Sequence, residues 1–212
     1  MTDIIIIGAG GLGREVAWLI EKINSKTEKY NVLGFIDDDN SVQNKTINGI
    51  KVIGKCEDVK TFGECSYVCA IGNPRVKKAV IEKLKTLKPD IKFATIIDPD
   101  IFISKTVLVG EGAVVSANSV LDANVNIGDF VLVLFNSTIG HESNIGEFST
   151  IYSGVNISGR VSLGKQCELG TGMQIIQDKK IVDECVFGAG SVVVKYITDK
   201  GTYVGVPAKK IK

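Results

Sequence analysis

The chain has 212 residues, 44% of them hydrophobic, which is enough to bury the core of one large domain or two small ones. Its 25 lysines and arginines almost balance its 24 aspartates and glutamates, and no long run of one sign occurs. This balance excludes the charge pattern of a nucleic-acid binder or of a protein that binds an anionic membrane, so small molecules or other subunits are the expected partners.

The N-terminal segment and the cysteines favour a cytoplasmic protein. The apolar run at residues 4–7 leads straight into glycines and lacks the basic flank and the length of a signal peptide. No stretch approaches the roughly 18 apolar residues that a membrane helix needs. The five cysteines are scattered without zinc or redox spacing, which favours reduced thiols.

Residues 1–94 alternate strand-like and helix-like segments, which predicts a small α/β unit of about four strands. Short apolar runs predict strands at residues 4–8, 32–38 and 66–72. Helical periodicity predicts a first helix at 13–23, with an inward face of Val16, Leu19, Ile20 and Ile23. A second helix is expected to open at Asn73-Pro74 and to end near Leu87, with Val76, Val80, Leu84 and Leu87 inward.

The rest of the chain has a different period. From Ile97 to Val193 every sixth residue is apolar, through seventeen positions without an insertion, and the fourth residue after it is usually small or β-branched. A period of six fits neither an α-helix nor a hairpin meander and predicts a parallel β-helix, in which three six-residue faces make one triangular coil. This domain is expected at residues 95–198, followed by a C-terminal tail at 199–212.

The only histidine, His141, is followed directly by Glu142. Because positions 18 apart stack in such coils, Ala123 lies one coil before the histidine and Gly159 one coil after it, which leaves an open slot beside the imidazole. A histidine base with an adjacent carboxylate suits acyl transfer to an amine or hydroxyl. The alternatives are two solvated residues on a turn and, for Glu142, an ion pair with Arg160 alone.

The glycine-rich sequence GAGGLG at residues 8–13 fits G-x-G-x-x-G between a strand and a helix, with Asp37 downstream. It is compatible with an NAD-linked nucleotide-sugar oxidoreductase, although no catalytic Tyr-Lys or Cys motif accompanies it. The same loop can hold one pyrophosphate on backbone N–H groups at a helix N-terminus. Asp37 and Asp38 as ordinary turn residues, and Asn73 as a plain helix cap, remain the simpler readings.

Five motifs, in order, carry a resemblance to a known family: IIIIGAGGLGRE, FIDDD, AIGNPRVKK, IGHESNIGEFS and VGVPAKKI. The chain resembles the hexapeptide-repeat sugar acyltransferases, which have an N-terminal Rossmann-like domain and a left-handed β-helix, in the branch of sialic acid O-acetyltransferases and UDP-4-amino-sugar N-acetyltransferases. The resemblance implies a homotrimer that transfers an acetyl group from acetyl-CoA to an amino or hydroxyl group of a nucleotide-linked sugar or sialic acid, in the synthesis of surface polysaccharides or glycans.

The resemblance also implies roles for individual residues. His141 would be the general base of a direct transfer and Glu142 its partner. Contacts with acetyl-CoA are implied for Thr150, Gly159, Thr171 and Ala189. Contacts with the nucleotide sugar are implied for Gly10, Gly11, Leu12, Asp37, Asp38, Ile71, Gly72 and Asn73. Thr150 and Leu12 stand where relatives often have histidines.

The sequence also bears on two other classes of protein. A β-helical carbonic anhydrase needs three zinc-binding histidines, and the chain has one, so no metal is expected. A non-catalytic β-helix that only binds a partner remains an alternative.

Cys167 and Cys185 occupy small interior positions of their hexads and are expected to fill the core. The apolar side chains Phe130, Leu132, Leu134 and Phe135 are expected to face outward and to be buried between subunits.

Overall fold

The structure is a computed structural model that describes the whole chain, Met1–Lys212. The chain divides into two compact units, Met1–Pro99 and Asp100–Lys212. Neither of its two α-helices has the length and apolar character needed to cross a membrane.

The first unit is built on a six-stranded sheet with two α-helices. Its elements are β1 (Thr2–Ile7), α1 (Gly11–Lys26), β2 (Tyr30–Ile36), β3 (Thr46–Ile47), β4 (Ile50–Gly54), β5 (Ser66–Cys69), α2 (Pro74–Leu87), β6 (Lys92–Phe93) and β7 (Ile96–Ile97), with 3₁₀ turns at Asn40–Val42 and Cys56–Thr61. The sheet order is β3-β4-β2-β1-β5-β6, and every pair except β3–β4 is parallel.

The position of β1 inside the sheet explains its run of isoleucines. Parallel strands with both faces covered read as continuous apolar sequence, and residues 4–7 are almost completely buried. Strand β1 pairs with β2 on one side and with β5 on the other, so the strand order reverses beside it. In open α/β sheets the carboxyl ends of the strands at such a reversal form the ligand crevice.

The inward face predicted for α2 was confirmed at Leu84 and wrong at Val76. The helix begins at Pro74 behind an Asn73 N-cap and ends at Leu87, as expected, and it buries Pro74, Lys77, Ile81 and Leu84. Val76, by contrast, is half exposed. The buried stripe is shifted by one residue and includes a lysine, Lys77, whose whole side chain is buried.

The sheet also has strands that the sequence reading missed. Strands β3 and β4 form an antiparallel hairpin, and Asn48 and Gly49 at its tip both have positive φ, at 48° and 82°. This is the type I′ turn that an Asn-Gly pair favours. The expected count of about four strands was therefore too low.

The second unit confirms the predicted parallel β-helix. Its strands are β8 (Leu108–Val109), β9 (Val114–Val115), β10 (Val120–Leu121), β11 (Asn126–Ile127), β12 (Leu132–Val133), β13 (Thr138–Ile139), β14 (Asn144–Ile145), β15 (Thr150–Ile151), β16 (Asn156–Ile157), β17 (Ser162–Leu163), β18 (Glu168–Leu169), β19 (Gln174–Ile175), β20 (Lys180–Ile181), β21 (Val186–Phe187), β22 (Val192–Val193), β23 (Thr202–Val204) and β24 (Lys209–Lys210). Each paired residue from β8 to β22 lies 18 positions from its neighbour, as in Thr138↔Asn156.

The strands stack into three faces that meet at three rows of corners. One face holds β10, β13, β16, β19 and β22, a second holds β8, β11, β14, β17 and β20, and the third includes β9, β12, β15, β18 and β21. From Gly112 to Gly190 every sixth residue has positive φ, and most of these corner residues are not glycine. At each corner the backbone therefore turns in the same way, with one residue in the left-handed φ region.

The interior alternates aliphatic rungs with small polar side chains that are hydrogen-bonded. From Val115 to Val193 every sixth residue is buried. The interior serines donate to backbone carbonyls of the next corner, as Ser143 does to Ser158 O at 3.1 Å. Because these hydroxyls are paired, they can be buried without the cost of an unsatisfied donor.

The outward apolar patch expected for an interface was wrong for three of its four members. Phe130, Leu132 and Leu134 are already buried within the single chain, and Phe130 stacks on Phe148 with ring centroids 5.1 Å apart. These side chains therefore carry no argument for contacts between subunits.

Candidate active site

His141 and Glu142 lie side by side at a corner between β13 and β14. The histidine Nδ1 is 3.3 Å from Glu142 Oε2, and the two side chains are 46% and 53% exposed. Glu142 occupies the left-handed corner position, with φ of 59°. The backbone holds the pair on both sides, since Glu142 N–H donates to Ala123 O and His141 O accepts from Arg160 N–H. The carboxylate therefore engages Nδ1, which leaves Nε2 as the reactive nitrogen.

The room that Gly159 leaves is filled by the imidazole itself, so the open slot expected on that side of the ring was wrong. A Cβ atom at this position would lie 2.5 Å from His141 Nε2 and 2.7 Å from Cε1, so no other residue fits without moving the ring. Gly159 is buried, and its N–H has no acceptor in the chain, whereas the N–H groups of Ser158 and Arg160 donate to neighbouring coils. The ring therefore packs on a glycine whose backbone N–H is unpaired.

Arg160 does not pair with Glu142. Its guanidinium makes two hydrogen bonds with Asp178 one coil further on, at 2.6 and 3.0 Å. This contact holds the pKa of the Asp178 carboxyl below its ordinary value, because the bidentate hydrogen bonds favour the ionised form. Glu142 is therefore left to interact with His141.

The four residues implied for the cofactor lie in different surroundings. Gly159 closes one edge of the β10-β13-β16-β19-β22 face, and Thr171 and Ala189, both exposed, lie one coil apart on the corner row at its other edge. Thr150 lies in β15 on a neighbouring face and is completely buried. A ligand at the surface of the chain would reach Thr171 and Ala189, whereas Gly159 and Thr150 are buried.

The cysteines offer no accessible nucleophile in the β-helix. Cys167 and Cys185 are fully buried, as expected, and a hydrogen bond between them together with burial raises the pKa of Cys167. In the first unit, burial and the neighbouring Asp38 raise the pKa of Cys56 to about 12. Since the thiolate is the nucleophilic form, the raised pKa makes Cys56 and Cys167 unreactive near neutral pH, and burial keeps Cys185 from a surface ligand.

The glycine-rich loop follows β1 and opens α1. Gly8 has φ of 98°, and a Cβ at Gly13 would overlap the carbonyl oxygen of Gly8, so the fold itself requires both glycines. Gly10 has nothing within 4 Å of a Cβ position, and Gly11 has only the Arg14 guanidinium at 3.9 Å. Leu12 is partly exposed in the first turn. The loop is therefore open above the helix N-terminus, where backbone N–H groups attract anions.

The two aspartates after β2 are held by hydrogen bonds. Asp37 Oδ2 accepts the N–H of Ala9 at 2.8 Å and thereby fastens the glycine loop. Asp38 Oδ1 accepts the N–H of Cys56 at 2.8 Å, and Asp38 Oδ2 lies 3.2 Å from Lys83 Nζ. Partial burial opposes the ionisation of Asp38, but these contacts outweigh it and lower its pKa. Both aspartates therefore have a structural role, with free lone pairs remaining.

The loop after β5 lies beside the glycine loop. A Cβ on Gly8 would be 3.1 Å from Ala70 O and 3.6 Å from Ile71 Cγ1. Gly72 follows, and Asn73 Oδ1 accepts the N–H groups of Arg75 and Val76, which confirms the helix cap. The structure thus brings the two predicted loop segments together at the carboxyl ends of β1 and β5.

Arg14 and Lys77 belong to this neighbourhood and were missed from the sequence. The Arg14 guanidinium lies over the open glycine loop, and Lys77 is fully buried in the first turns of α2. The signal for Arg14 was its place one residue after the last glycine of the motif. Lys77 gave no signal, because the apolar pattern of α2 pointed to a different face.

Comparisons with known proteins agree with this arrangement. Residues 3–84 match the family model described as the PglD N-terminal domain. A UDP-N-acetylbacillosamine N-acetyltransferase of Bacillus subtilis is 30% identical over 123 residues. That match covers 55% of the chain and 52% of the relative, so it spans about half of that relative's length.

Solved structures match over the whole chain. The acetyltransferase domain of PglB from Neisseria gonorrhoeae has a TM-score of 0.89 at 29% identity and covers 100% of both chains, and the same domain is known in complex with acetyl coenzyme A. PerB from Caulobacter crescentus, in complex with CoA and GDP-perosamine, has a TM-score of 0.89 at 25% identity, covering 100% of this chain and 98% of its own.

The fold and the site define a two-domain protein in which a Rossmann-like unit precedes a left-handed parallel β-helix. The chain is similar to sugar acetyltransferases, in sequence over part of its length and in fold over all of it.

Proposed function

We propose that the protein transfers an acetyl group from acetyl-CoA to an amino group, or a hydroxyl group, of a nucleotide-linked sugar. The observation that carries this proposal is the His141 corner, where Nδ1 meets Glu142 and the imidazole packs closely on Gly159. Relatives that match over the whole chain are described as bound to acetyl coenzyme A, or to CoA and GDP-perosamine, which supports both substrates.

The residues of the corner suit a direct transfer. His141 Nε2 removes a proton from the acceptor amine as the amine nitrogen attacks the thioester carbonyl carbon. The C–S bond then breaks, and the imidazolium returns the proton to the leaving sulfur, which releases the thiol of CoA. Glu142 accepts a hydrogen bond from Nδ1–H and stabilises the imidazolium that forms. The unpaired N–H of Gly159 is the candidate donor to the negative charge that develops on the carbonyl oxygen.

The first unit would bind the nucleotide sugar at the carboxyl ends of β1 and β5. The N–H groups of Gly10, Gly11 and Leu12 and the Arg14 guanidinium suit the diphosphate. Asp37 and Asp38 would face the ribose or base, and Ile71, Gly72 and Asn73 would line the side of the site.

A thiol-release assay tests the function. Purified protein is supplied with acetyl-CoA and a panel of UDP-, dTDP- and GDP-linked amino sugars and sialic acid, with His141→Ala as the matched control. We expect release with at least one acceptor in the wild type and a large loss in the variant. Equal turnover by the variant would refute the mechanism, and no turnover combined with tight NAD binding would favour a nicotinamide-linked oxidoreductase.

The resemblance to trimeric acyltransferases leads us to include a homotrimer in the proposal. Light scattering should then give a mass close to three times the 22.7 kDa of one chain. A monomer at assay concentrations would remove this part of the proposal.

A further inference from the structure

A cavity opens in the first unit at the amino ends of its parallel strands, at the opposite edge of the sheet from the glycine-rich loop. It has a volume of about 450 Å³ and is lined by the first residues of β1, β5 and β6 and by the segment that leads into β5. No residue assigned to acetyl-CoA or to the nucleotide sugar lines it. This amino-end cavity is therefore separate from the candidate active site.

Four charged side chains that line the amino-end cavity are unpaired. Lys60, Glu64, Asp90 and Lys92 are all exposed, and none of them forms an ion pair. Two ammonium groups are therefore free to hold an anion such as a phosphate. Two carboxylates are free to accept hydrogen bonds from hydroxyl groups. The cavity thus offers a ligand both kinds of contact.

A fifth charged residue, Lys88, holds the wall of the cavity in place. Its ammonium donates to the carbonyl oxygens of Phe62 and Gly63, at 2.9 and 3.0 Å. An ammonium has three N–H donors, so one of them remains for a ligand. The wall fixed in this way includes the half-buried ring of Phe62, an apolar surface against which a sugar ring can pack.

Behind this wall lies a buried hydroxyl without a partner. Tyr67 is completely buried, and its hydroxyl is the one buried side-chain oxygen or nitrogen in the chain that lacks a hydrogen-bond partner. Burial, the Cys65 thiol and the charge of Asp90 raise the pKa of Tyr67, so both of these cavity residues lie near the hydroxyl. An unsatisfied buried hydroxyl destabilises the fold. A ligand oxygen that reached it past Cys65 would satisfy it.

We propose that the amino-end cavity binds a phosphate ester of a sugar. Lys60 and Lys92 hold the phosphate, and Glu64 and Asp90 accept hydrogen bonds from the sugar hydroxyls. The Tyr67 hydroxyl donates to the same ligand. A bare phosphate is too small to fill about 450 Å³, and an uncharged sugar leaves the ammonium groups without a partner. The inference does not depend on the proposed function, because it uses none of the groups assigned to acetyl transfer.

Calorimetry on the full chain tests this inference. The probes are the 1- and 6-phosphates of glucose, galactose and mannose, the free hexoses and inorganic phosphate. We expect at least one hexose phosphate to bind at least about tenfold more tightly than its free hexose and than inorganic phosphate, because each fragment lacks one set of contacts. If no hexose phosphate bound more tightly than inorganic phosphate, the inference would be overturned.

Variants place the binding in the amino-end cavity. Lys92→Ala and Asp90→Ala should each weaken the tightest ester about tenfold, the equivalent of one hydrogen bond to a charged group. Lys51→Ala, an exposed lysine of β4 that does not line the cavity, is the control. Equal affinities in the three variants would mean that the ester binds elsewhere on the protein, which contradicts the inference.

Tyr67→Phe separates a contact with the ligand from a structural role. The change removes a buried hydroxyl that has no partner in the free protein, so the urea midpoint of the free protein should stay level or rise. The affinity for the ester should fall all the same. An unchanged affinity would remove Tyr67 from the proposed site.

Alkylation of Cys65 gives a readout that needs no variant. Cys65 is the only one of the five cysteines that is not buried, so iodoacetamide should label it first in the folded protein, and peptide mass spectrometry locates the label. At roughly ten times its dissociation constant, the ester should slow this labelling about tenfold. Labelling at the same rate with and without the ester would refute the inference, whatever the activity of the protein in acetyl transfer.

Discussion

The position of the His141 ring depends on a neighbour without a side chain. Gly159 lies under the ring one coil further on, and its own φ is not in the left-handed region, so the backbone does not need glycine there. The imidazole occupies the space that a side chain at residue 159 would need. In the proposed function, catalysis therefore depends on the absence of one carbon atom.

Replacing His141 with alanine should lower kcat by about 10²- to 10⁴-fold, since it removes the proton acceptor. Glu142→Gln should cause a smaller loss of kcat, because the imidazolium loses its carboxylate partner. Steady-state thiol release measures both. A kcat in Glu142→Gln equal to that of the wild type would exclude the assigned role of Glu142.

Gly159→Ala should lower kcat by about 10²-fold, since a displacement of roughly 1 Å at the reacting group can cost that much. The new Cβ would press on Nε2 and move the ring. Ser158→Ala, the adjacent exposed residue, is the matched control, and circular dichroism checks that both variants fold. If kcat in Gly159→Ala stayed within twofold of that in Ser158→Ala, the close packing of the His141 ring on Gly159 would have no catalytic importance.

At the scale of elements, the glycine loop contains glycines of two kinds. Gly8 and Gly13 are required by backbone conformation and close packing against the sheet. Gly10 and Gly11 are not required by either, since a Cβ at both positions would meet open space. Space kept free above a helix N-terminus is what a bound diphosphate needs.

Gly11→Ala should leave the free energy of unfolding unchanged or raise it by up to about 1 kcal/mol, because alanine is the better helix former. The same change should raise the KM for the nucleotide sugar at least about tenfold, the equivalent of one lost hydrogen bond. Gly13→Ala should instead destabilise the fold by about 1–3 kcal/mol through overpacking. Urea unfolding and acetyl-transfer kinetics separate the two effects, and an unchanged KM in Gly11→Ala would place the diphosphate elsewhere.

The corners of the β-helix offer a test of backbone strain. Gln166 has φ of 54°, a conformation that costs most side chains about 1–2 kcal/mol but that asparagine tolerates. Gln166→Asn should therefore stabilise the protein by about 0.5–1 kcal/mol, while Gln166→Val should destabilise it. Urea midpoints measure both, and a destabilised asparagine variant would mean that the glutamine side chain makes a contact that outweighs the strain.

The elements differ in how far the sequence determines their prediction. The six-residue repeats were predictable because each coil imposes the same packing requirement, so the same pattern of apolar residues recurs along the sequence. The hairpin at Asn48-Gly49 carried a readable turn signal, but its strands are too short to show periodicity. The buried face of α2 was not predictable, because it includes a charged residue, Lys77. Within the site, stacking placed Gly159 correctly, whereas the burial of Thr150 depends on packing that its own sequence neighbours do not encode.

At the scale of the molecule, several carboxylates are held ionised by their contacts. The pKa values of Asp38 and Asp178, among others, lie below their ordinary value of 3.8. A carboxyl group with a lowered pKa stabilises the fold at a pH above its unfolded value, and that contribution is lost as the pH falls through the folded value. Their contribution is therefore complete near neutral pH.

The urea midpoint should decline as the pH is lowered from about 6 to 3, with most of the loss below about pH 4. Asp38→Asn should make this decline shallower, because the amide oxygen can still accept the Cys56 N–H but no longer titrates. Parallel unfolding curves for the wild type and the variant at each pH provide the measurement. An identical pH dependence in both would mean that Asp38 does not contribute to acid unfolding.

The stacked coils also act as a ruler, with one graduation for every 18 residues, or about 4.8 Å. An insertion of one whole coil after His141 would lengthen the β-helix beyond this residue by one graduation and turn no side chain to another face. An insertion of six residues would instead rotate everything after it by one face. The distance along the axis from His141 to any later residue of the same face can thus change only in whole steps of one coil.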